Sequence, residues 1–524
     1  MSSFALPDPL PEETPALQAL VGALCAQLQE LEQRLAWFTE QYRLAQQRRF
    51  GAARETSPHQ LDLFAELLEQ AQAAVPEPAA GNAQDGRPEA PPQRRGPGRP
   101  ALPPNLPREA VVHDLPEEAK ICSCCGGRKA VIGESRSEQL DIVPPRLKVL
   151  EHIQLKYACS DCETEGVSTA AKPPQPIPKS NASPGLLAYL VIAKVADGLP
   201  LYRQERMFTR LGFALPRSTQ AGWLMKAGQL VQPLINLLHD ELLQREIILA
   251  DETTFQVLKE PGRAAQTKSY VWCYRSGCGP PIILFDYSET RAGQHPKTYL
   301  DGFTGYLLTD GYAGYDAVGT PQCQPMMLGC WSHARRHFHD IVKARPKGAA
   351  PGLADEALAY ADTLFRLERQ WKTCRAEQRH ALRQPFSVPV LAACKTWLDQ
   401  HLSATAPKTL LGKAIRYALR FWPRLTRFLD DGRLPISNNQ TEREIKTFVL
   451  GRKAFLFADT PAGAKALANL YSLVQTAQAN DLEPWAYLKQ VFTELPQATT
   501  LAQIEALLPW QVAPKRLEGL AHGD

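Results

Sequence analysis

Long apolar runs are missing from this chain of 524 residues. No stretch reaches the roughly 18 uninterrupted apolar residues that a membrane-spanning helix needs, so the expectation is a protein with no place in a bilayer. The opening MSSFALPDPLPEETP carries neither the basic nor the apolar region of a secretion leader, which predicts a cytoplasmic chain. An excess of one charge is also lacking. Against 59 Lys and Arg stand 55 Asp and Glu, a formal net charge of +4, so any surface for a polyanion must come from local clustering. Twelve cysteines without a leader do not read as a disulfide framework, and four of them stand in metal-ligand spacing.

What is present begins with a heptad seam. Leu17, Val21, Leu24, Leu28, Leu31, Leu35, Phe38 and Tyr42 alternate steps of four and three, the pattern of a coiled coil, and predict at least a dimer. From about residue 71 to 107 the chain is Ala, Pro, Gly and Arg with few large apolar residues, too little to offset chain entropy, and reads as a linker. Within it RRGPGRP, with Arg95 and Arg99, resembles an AT-hook core, an extended basic string thin enough for an A·T-rich minor groove. A solvated basic linker reads equally well.

CSCCGG (122–127) and YACSDCE (157–163) then give C-x2-C twice. Two such knuckles present four thiolates, Cys122, Cys125, Cys159 and Cys162, tetrahedrally to structural zinc, with Cys124 as a spare thiol. A redox pair is the competing reading, weakened by the second matched pair. Between 184 and 243 the pattern is helical. LYRQERMFTRLG, FALP and RSTQAGWLMKAGQL read as a helix-turn-helix, with Ser218 as N-cap and Arg217, Thr219 and Gln220 near its groove-facing end. Two packed helices of any α-rich domain would look the same.

REIILADETTFQVL (245–258) raises a different question, because a run fit for burial ends in acid. Ile247 to Ala250 read as a buried strand with Asp251 at its carboxyl end; Glu252 points to the other face and is not expected to share its role. SYVWCYRSG and PIILFDYSET continue a meander, and GYLLTDGYAGYDAV supplies another strand ending at Asp310. Adjacent strands lie about 4.8 Å apart, so acids at neighbouring ends can share divalent cations. A third acid, Glu442, stands in LPISNNQTEREIKTFVLGRKAFLF, where Ser437 and Gln440 have capping-box spacing and Glu442, Ile445, Lys446 and Val449 fall on one helical face. A carboxylate on an apolar stripe needs a metal or a basic partner, and Arg443 and Lys446 are within reach. Three acids on strand, strand and helix suit two hard cations roughly 3.5 to 4 Å apart in phosphoryl transfer.

These residues carry a family resemblance. LADETT (249–254), LTDGYAGYDA (308–317), GCWSHARRHF (329–338), NNQTEREIK (438–446), GRKAFLFA (451–458) and YSLVQTAQAN (471–480) resemble the transposases of the insertion sequence 66 family, bacterial DDE enzymes. The resemblance implies a multidomain chain whose α/β RNase H-like catalytic core is a mixed sheet flanked by helices. Its segments would be a leucine-zipper-like coiled coil (1–50), a mostly disordered Pro/Arg-rich linker (51–107), a four-cysteine zinc-binding domain (108–175) and a helical DNA-binding region (176–246). The core would follow (247–348 and 430–470), interrupted by a helical insertion (349–429) and closed by a C-terminal helical element (471–524).

By the same resemblance Asp251, Asp310 and Glu442 are the triad that holds Mg2+ or Mn2+, while Zn2+ is structural. Trp331 would stack on a base, and His333, Arg335 and Arg336 would contact phosphate or the scissile site. Arg452 and Lys453, at a turn marked by Gly451, would touch the DNA backbone. The implied activity is cleavage of element ends and joining of their 3′-hydroxyls to double-stranded target DNA, by a homo-oligomer acting at the nucleoid with accessory proteins of the same element. Cys124 and Thr441 depart from the family pattern. The rivals are an RNase H-fold structure-selective nuclease or resolvase and a zinc-containing DNA-binding regulator without catalysis.

Overall fold

The structure, a computed structural model, describes residues 167–512 except 320–323 and Lys347, together with 145–158, parts of 108–139 and separate helical positions between 14 and 42. The chain divides into two compact units, one of Met1–Glu55 with Ile153–Asp524 and one of Thr56–His152. In the smaller unit a 3-10 turn, Glu117–Lys120, leads into a bridge between Ile121 and Arg128 that brackets residues 122–127. Lys120 pairs there with Asp114 and Glu117 at 2.6 and 2.7 Å. Cys122 and Cys125 lie outside the described residues, as do Arg95 and Arg99; Cys124 is exposed and free of any disulfide.

In the larger unit the described seam positions Val21, Leu24, Leu28, Leu31, Leu35, Phe38 and Tyr42 are helical and exposed, whereas Leu17 is outside the described residues. Two short antiparallel strands, β1 (Lys156–Ala158) and β2 (Val167–Thr169), flank residues 159–166, so Cys159 and Cys162 also fall outside the described residues. Four helices follow: α1 (Pro184–Val195), α2 (Leu201–Arg210), α3 (Arg217–Leu230) and α4 (Gln232–Leu243). Ser183 caps α1 by accepting the Leu186 N–H, with Pro184 pre-set at the first helical position. Helix α3 begins two residues earlier than its sequence suggests: Pro216 takes the N-cap place and Ser218 falls inside the first turn.

A five-stranded mixed sheet comes next, built from β3 (Ile247–Gln256), β4 (Lys268–Ser276), β5 (Ile283–Ser288), β6 (Tyr306–Thr309) and β7 (Met326–Gly329), with helix α5 (Gln294–Tyr299) before β6. Its order is β5-β4-β3-β6-β7, antiparallel through β5, β4 and β3, and parallel through β3, β6 and β7. Ile247 to Ala250 are fully buried because both faces of β3 are covered, as a continuous apolar run requires. The strand does not end at the acids. It runs to Gln256, since residues 251–256 keep pairing with β4 after β6 has stopped.

On one face of the sheet Ile247, Leu249, Leu308 and Leu328 pack with α6 (Trp331–Ala344), α7 (Leu353–Gln370), α8 (Ala376–Ala404), α9 (Leu410–Arg420) and α10 (Trp422–Thr426). Fully buried Arg383 of α8 binds Glu368 of α7 twice at 2.8 Å and the carbonyls of Asp431 and Leu434 at 2.8 and 2.9 Å, pinning these helices to the returning chain. Ile248 and Ala250 belong to the second core, which is completed by α11 (Asn439–Phe455), α12 (Pro461–Ala479) and α13 (Pro484–Glu494), with a short α14 (Leu501–Glu505) beyond.

Two sequence expectations change here. Helix α11 continues through Gly451 to Phe455 and stops at Leu456, whose φ is +70°, so Arg452 and Lys453 lie within the helix rather than at a turn. Gly451 is small because a Cβ there would meet the Tyr471 hydroxyl at 2.2 Å. Helix α12 also crosses the boundary drawn between 470 and 471. The Phe285 N–H donates to Ser472 Oγ at 2.8 Å and the Ile283 N–H to Thr476 Oγ1 at 3.0 Å, which makes the helix part of the sheet's cover.

Candidate active site

Strand register brings the first two acids together. Ile247, Ile248 and Leu249 pair in parallel with Tyr306, Leu307 and Leu308, and carrying that register two residues further sets Asp251 beside Asp310. Both lie two positions past a leucine of the α6-side core, so their side chains share that face. Glu252 faces the other way. There Arg291 Nε donates to its Oε1 at 2.7 Å and the Tyr315 hydroxyl to its Oε2 at 2.8 Å, leaving it a satisfied structural acid.

Asp310 is held in a tight turn. The Tyr312 N–H donates to its Oδ1 at 2.8 Å, the Tyr417 hydroxyl to its carbonyl at 2.8 Å, and the Arg291 guanidinium stands 3.9 Å from its Oδ2. Gly311 has φ +90°, and a Cβ there would meet Tyr417 Oη at 3.1 Å, so both the turn and the packing require glycine.

Glu442 sits in the first turn of α11. Ser437 does not cap that helix: Asn438 holds the cap place, and its side chain makes no capping bond. Instead Asn438 Nδ2 donates to the Ala250 carbonyl at 2.9 Å, while its own N–H donates to Cys330 Sγ at 3.2 Å. The Trp331 N–H completes the clasp by donating to Ile436 O at 3.1 Å. The buried stripe of α11 is Thr441, Ile445 and Phe448, with Lys446 exposed, so Glu442 stands at its rim rather than in it. Its neighbours come from α6 and not from its own helix. Arg336 is 3.4 Å from Oε2 and His333 Nε2 is 3.7 Å from Oε1, while Arg443 turns back to the Asn439 carbonyl.

The electrostatics join these groups into one cluster. Burial raises the Asp251 pKa well above the carboxylate range, and the charges of Glu252, Asp310 and Glu442 raise it further against one opposing N–H from Glu252. Burial lowers His333, opposed by Glu442 and Asp310 and assisted by Arg336. Glu442 Oε1 and His333 Nδ1 are buried without hydrogen-bond partners. Mutually repelling carboxylates with an unsatisfied oxygen form a donor set that suits hard divalent cations.

Other sequence candidates are placed differently. Trp331 is 4% exposed and gives its indole N–H to Leu425 O at 2.7 Å, so it is a core residue with no ring face for a base. Gln220 is fully buried and bonds the Leu215 carbonyl at 2.8 Å, which removes it from any groove-facing set. Arg217 is exposed and Thr219 half-buried. Arg335 is engaged with Asp362 at 2.7 Å, and Arg452 reaches the Thr253 and Thr254 hydroxyls at 3.3 and 3.1 Å, tying α11 to β3. Lys453 is exposed, and Arg336 is 52% exposed beside Glu442. Sequence reasoning missed Asn438, Cys330, Arg291 and Tyr417. Asn438 and Cys330 lie inside motifs already singled out, but Arg291 and Tyr417 act through distant partners and leave no local signature.

Comparison with known proteins matches this architecture. Residues 179–466 match the family described as Transposase IS66 family. Residues 119–163 match the zinc-finger binding domain of transposase IS66, residues 472–510 the IS66 C-terminal element, and residues 37–111 a segment described as Transposase C of IS166 homeodomain. Two uncharacterized proteins of Sinorhizobium fredii, y4qI and y4jD, are each 34% identical to the chain, over 415 and 421 residues. The aligned parts cover 77% and 78% of this chain and 76% and 81% of theirs. The chain belongs to the IS66 transposase family. The match over residues 119–163 supports zinc binding there. Among the described residues no helix is long and apolar enough to cross a membrane.

Proposed function

We propose that this protein is a DNA transposase that cleaves the ends of its element and joins the freed 3′-hydroxyls to target DNA. The observation that supports the reading is the strand register that aligns Asp251 with Asp310 on one face of the sheet, with the start of the Glu442 helix tied to the same strand through Asn438 and Glu442 Oε1 left unpartnered. The sheet order, three antiparallel strands continued by two parallel ones, supports an RNase H-like core. Magnesium or manganese ions held by these three carboxylates would activate the attacking oxygen and stabilise the leaving one.

The chain's own residues do the positioning. The Asn438 clasp fixes the start of the glutamate helix against the strand that carries Asp251. Arg291 and Tyr315 occupy Glu252, which keeps that acid off the site, and Tyr417 holds the Asp310 turn. Exposed Arg336, Arg217 and Lys453 are suited to phosphate contacts that position DNA without reading its sequence. His333, nearer the acids, would touch the scissile region. The exposed apolar line of Val21, Leu28, Leu31 and Leu35 supports pairing of protomers as a coiled coil, which would hold two element ends together.

The test is mobility of a plasmid-borne element with its flanking DNA and accessory genes, comparing the wild type with Glu442→Gln. Movement by the wild type and none by the variant supports the reading. Equal movement by both removes Glu442 from the chemistry.

A further inference from the structure

One donor set overlaps the carboxylate cluster without being part of it. Cys330, His333 and Glu442 offer a sulfur, an imidazole nitrogen and a carboxylate oxygen that all lie within 4.8 Å of one another. Cys330 and His333 stand three residues apart where α6 begins, and Glu442 faces them from α11. A tetrahedral zinc site has bonds of about 2.0 to 2.3 Å, which sets its ligand atoms roughly 3.3 to 3.8 Å apart. His333 Nε2 and Glu442 Oε1, 3.7 Å apart, already have that spacing, and no pair in the set is more than 4.8 Å apart. Cys330 is only 1% exposed and fixed, whereas the His333 and Glu442 side chains are 19% and 18% exposed and have room to adjust.

We propose that Cys330, His333 and Glu442 form a binding site for zinc, separate from the four-cysteine module and sharing Glu442 with the hard-cation site. Three observations bear on it. Glu442 Oε1 is buried without a hydrogen-bond partner and has His333 Nε2 3.7 Å away, while the other ring nitrogen of His333, Nδ1, is also buried without one. Cys330 Sγ accepts the Asn438 N–H at 3.2 Å, a bond that survives deprotonation and strengthens with the thiolate. Arg336 approaches Oε2 of Glu442 and leaves Oε1, the oxygen nearer His333, to the metal.

Binding would release the Cys330 thiol proton to solvent and take His333 as neutral imidazole, leaving the fourth position to water. Thiolate and imidazole ligands favour zinc over magnesium, so the two sites discriminate by ligand type although they share an oxygen donor. That zinc would withdraw Glu442 from cleavage rests on the proposed function; the existence of the site does not.

The experiment is a zinc count on the full chain, loaded with zinc in the presence of excess Mg2+, freed of loose metal and assayed without DNA. About two zinc ions per chain are expected for the wild type and about one, that of the four-cysteine module, for Cys330→Ser and for His333→Asn. Serine keeps an acceptor for the Asn438 N–H, and melting curves identify a variant that has lost its fold, in which case the other carries the test. Equal zinc in the wild type and in a folded variant of either kind overturns the site. Because no cleavage is measured, a chain that fails to transpose can still bear it out.

Discussion

Asn438 donates its side-chain amide to the carbonyl of Ala250 across 2.9 Å, one residue before Asp251 and four before Glu442 on their respective elements. One buried hydrogen bond thus sets the distance between an acid on a strand and an acid on a helix far along the chain. Asn438→Ala leaves the Ala250 carbonyl buried without this donor and should cost about 1–3 kcal/mol of stability, read from denaturant unfolding. Cleavage should fall by more than that loss explains, because the helix carrying Glu442 is no longer indexed to the strand.

Asp251→Asn, Asp310→Asn and Glu442→Gln should each lower end cleavage by about a thousandfold or more, consistent with the several kcal/mol that metal coordination supplies. Binding of element ends, read by gel shift, should persist in all three. Retained cleavage in any one removes that residue from the triad.

The pH dependence follows from Asp251, whose folded pKa is raised, first by burial and then by its acidic neighbours. A carboxyl with a raised folded pKa favours the folded state in its protonated form. Its contribution is full below the ordinary carboxylate range and is lost as pH rises through the raised value. The metal-free wild type should therefore lose part of its thermal stability on moving from acid toward neutral pH, and Asp251→Asn should melt higher than wild type at pH 7. Added Mg2+ should stabilise the wild type at pH 7 and leave the variant largely unmoved.

Gly451→Ala should destabilise the chain by about 1–3 kcal/mol, since its Cβ would meet the Tyr471 hydroxyl at 2.2 Å. That hydroxyl is buried with no partner, so Tyr471→Phe alone should be near neutral or stabilising. Combined, the two changes should recover most of the loss in a thermal melt, and strict additivity would show that the contact is not the cause.

Cys122→Ser or Cys159→Ser should each release the zinc of the four-cysteine module and weaken binding to element ends. Metal content by atomic emission checks this directly, and unchanged zinc would refute the module.

Much of the core was legible because its signals are local. The apolar run before Asp251 marks a doubly covered strand, and the two β-prone stretches after it, separated by a Gly/Pro turn, mark the meander of β4 and β5. The extent of β3 was not legible, because what keeps residues 251–256 extended is pairing with β4, a partner that local sequence does not name. Trp331 read as a ligand-facing aromatic for want of one fact, that Leu425 lies opposite and takes its N–H. Glycine misled in the same way: Gly451 reads as a turn signal but is small to admit Tyr471. Glu442 could be singled out from its helix, yet its neighbours Arg336 and His333 come from α6, across a separation of more than a hundred residues.

The hydroxyls of Ser472 and Thr476 also say something about how such a gene can decay. They occupy backbone groups of β5, the outermost strand on the antiparallel side of the sheet, and they lie where the C-terminal family element begins. A copy truncated by a frameshift ahead of residue 472 would keep all three acids and still lose the cover of that strand. Its exposed edge would invite pairing with other chains. Such a remnant would be an aggregating polypeptide rather than a smaller nuclease, and its loss of function would owe nothing to the chemistry of its carboxylates.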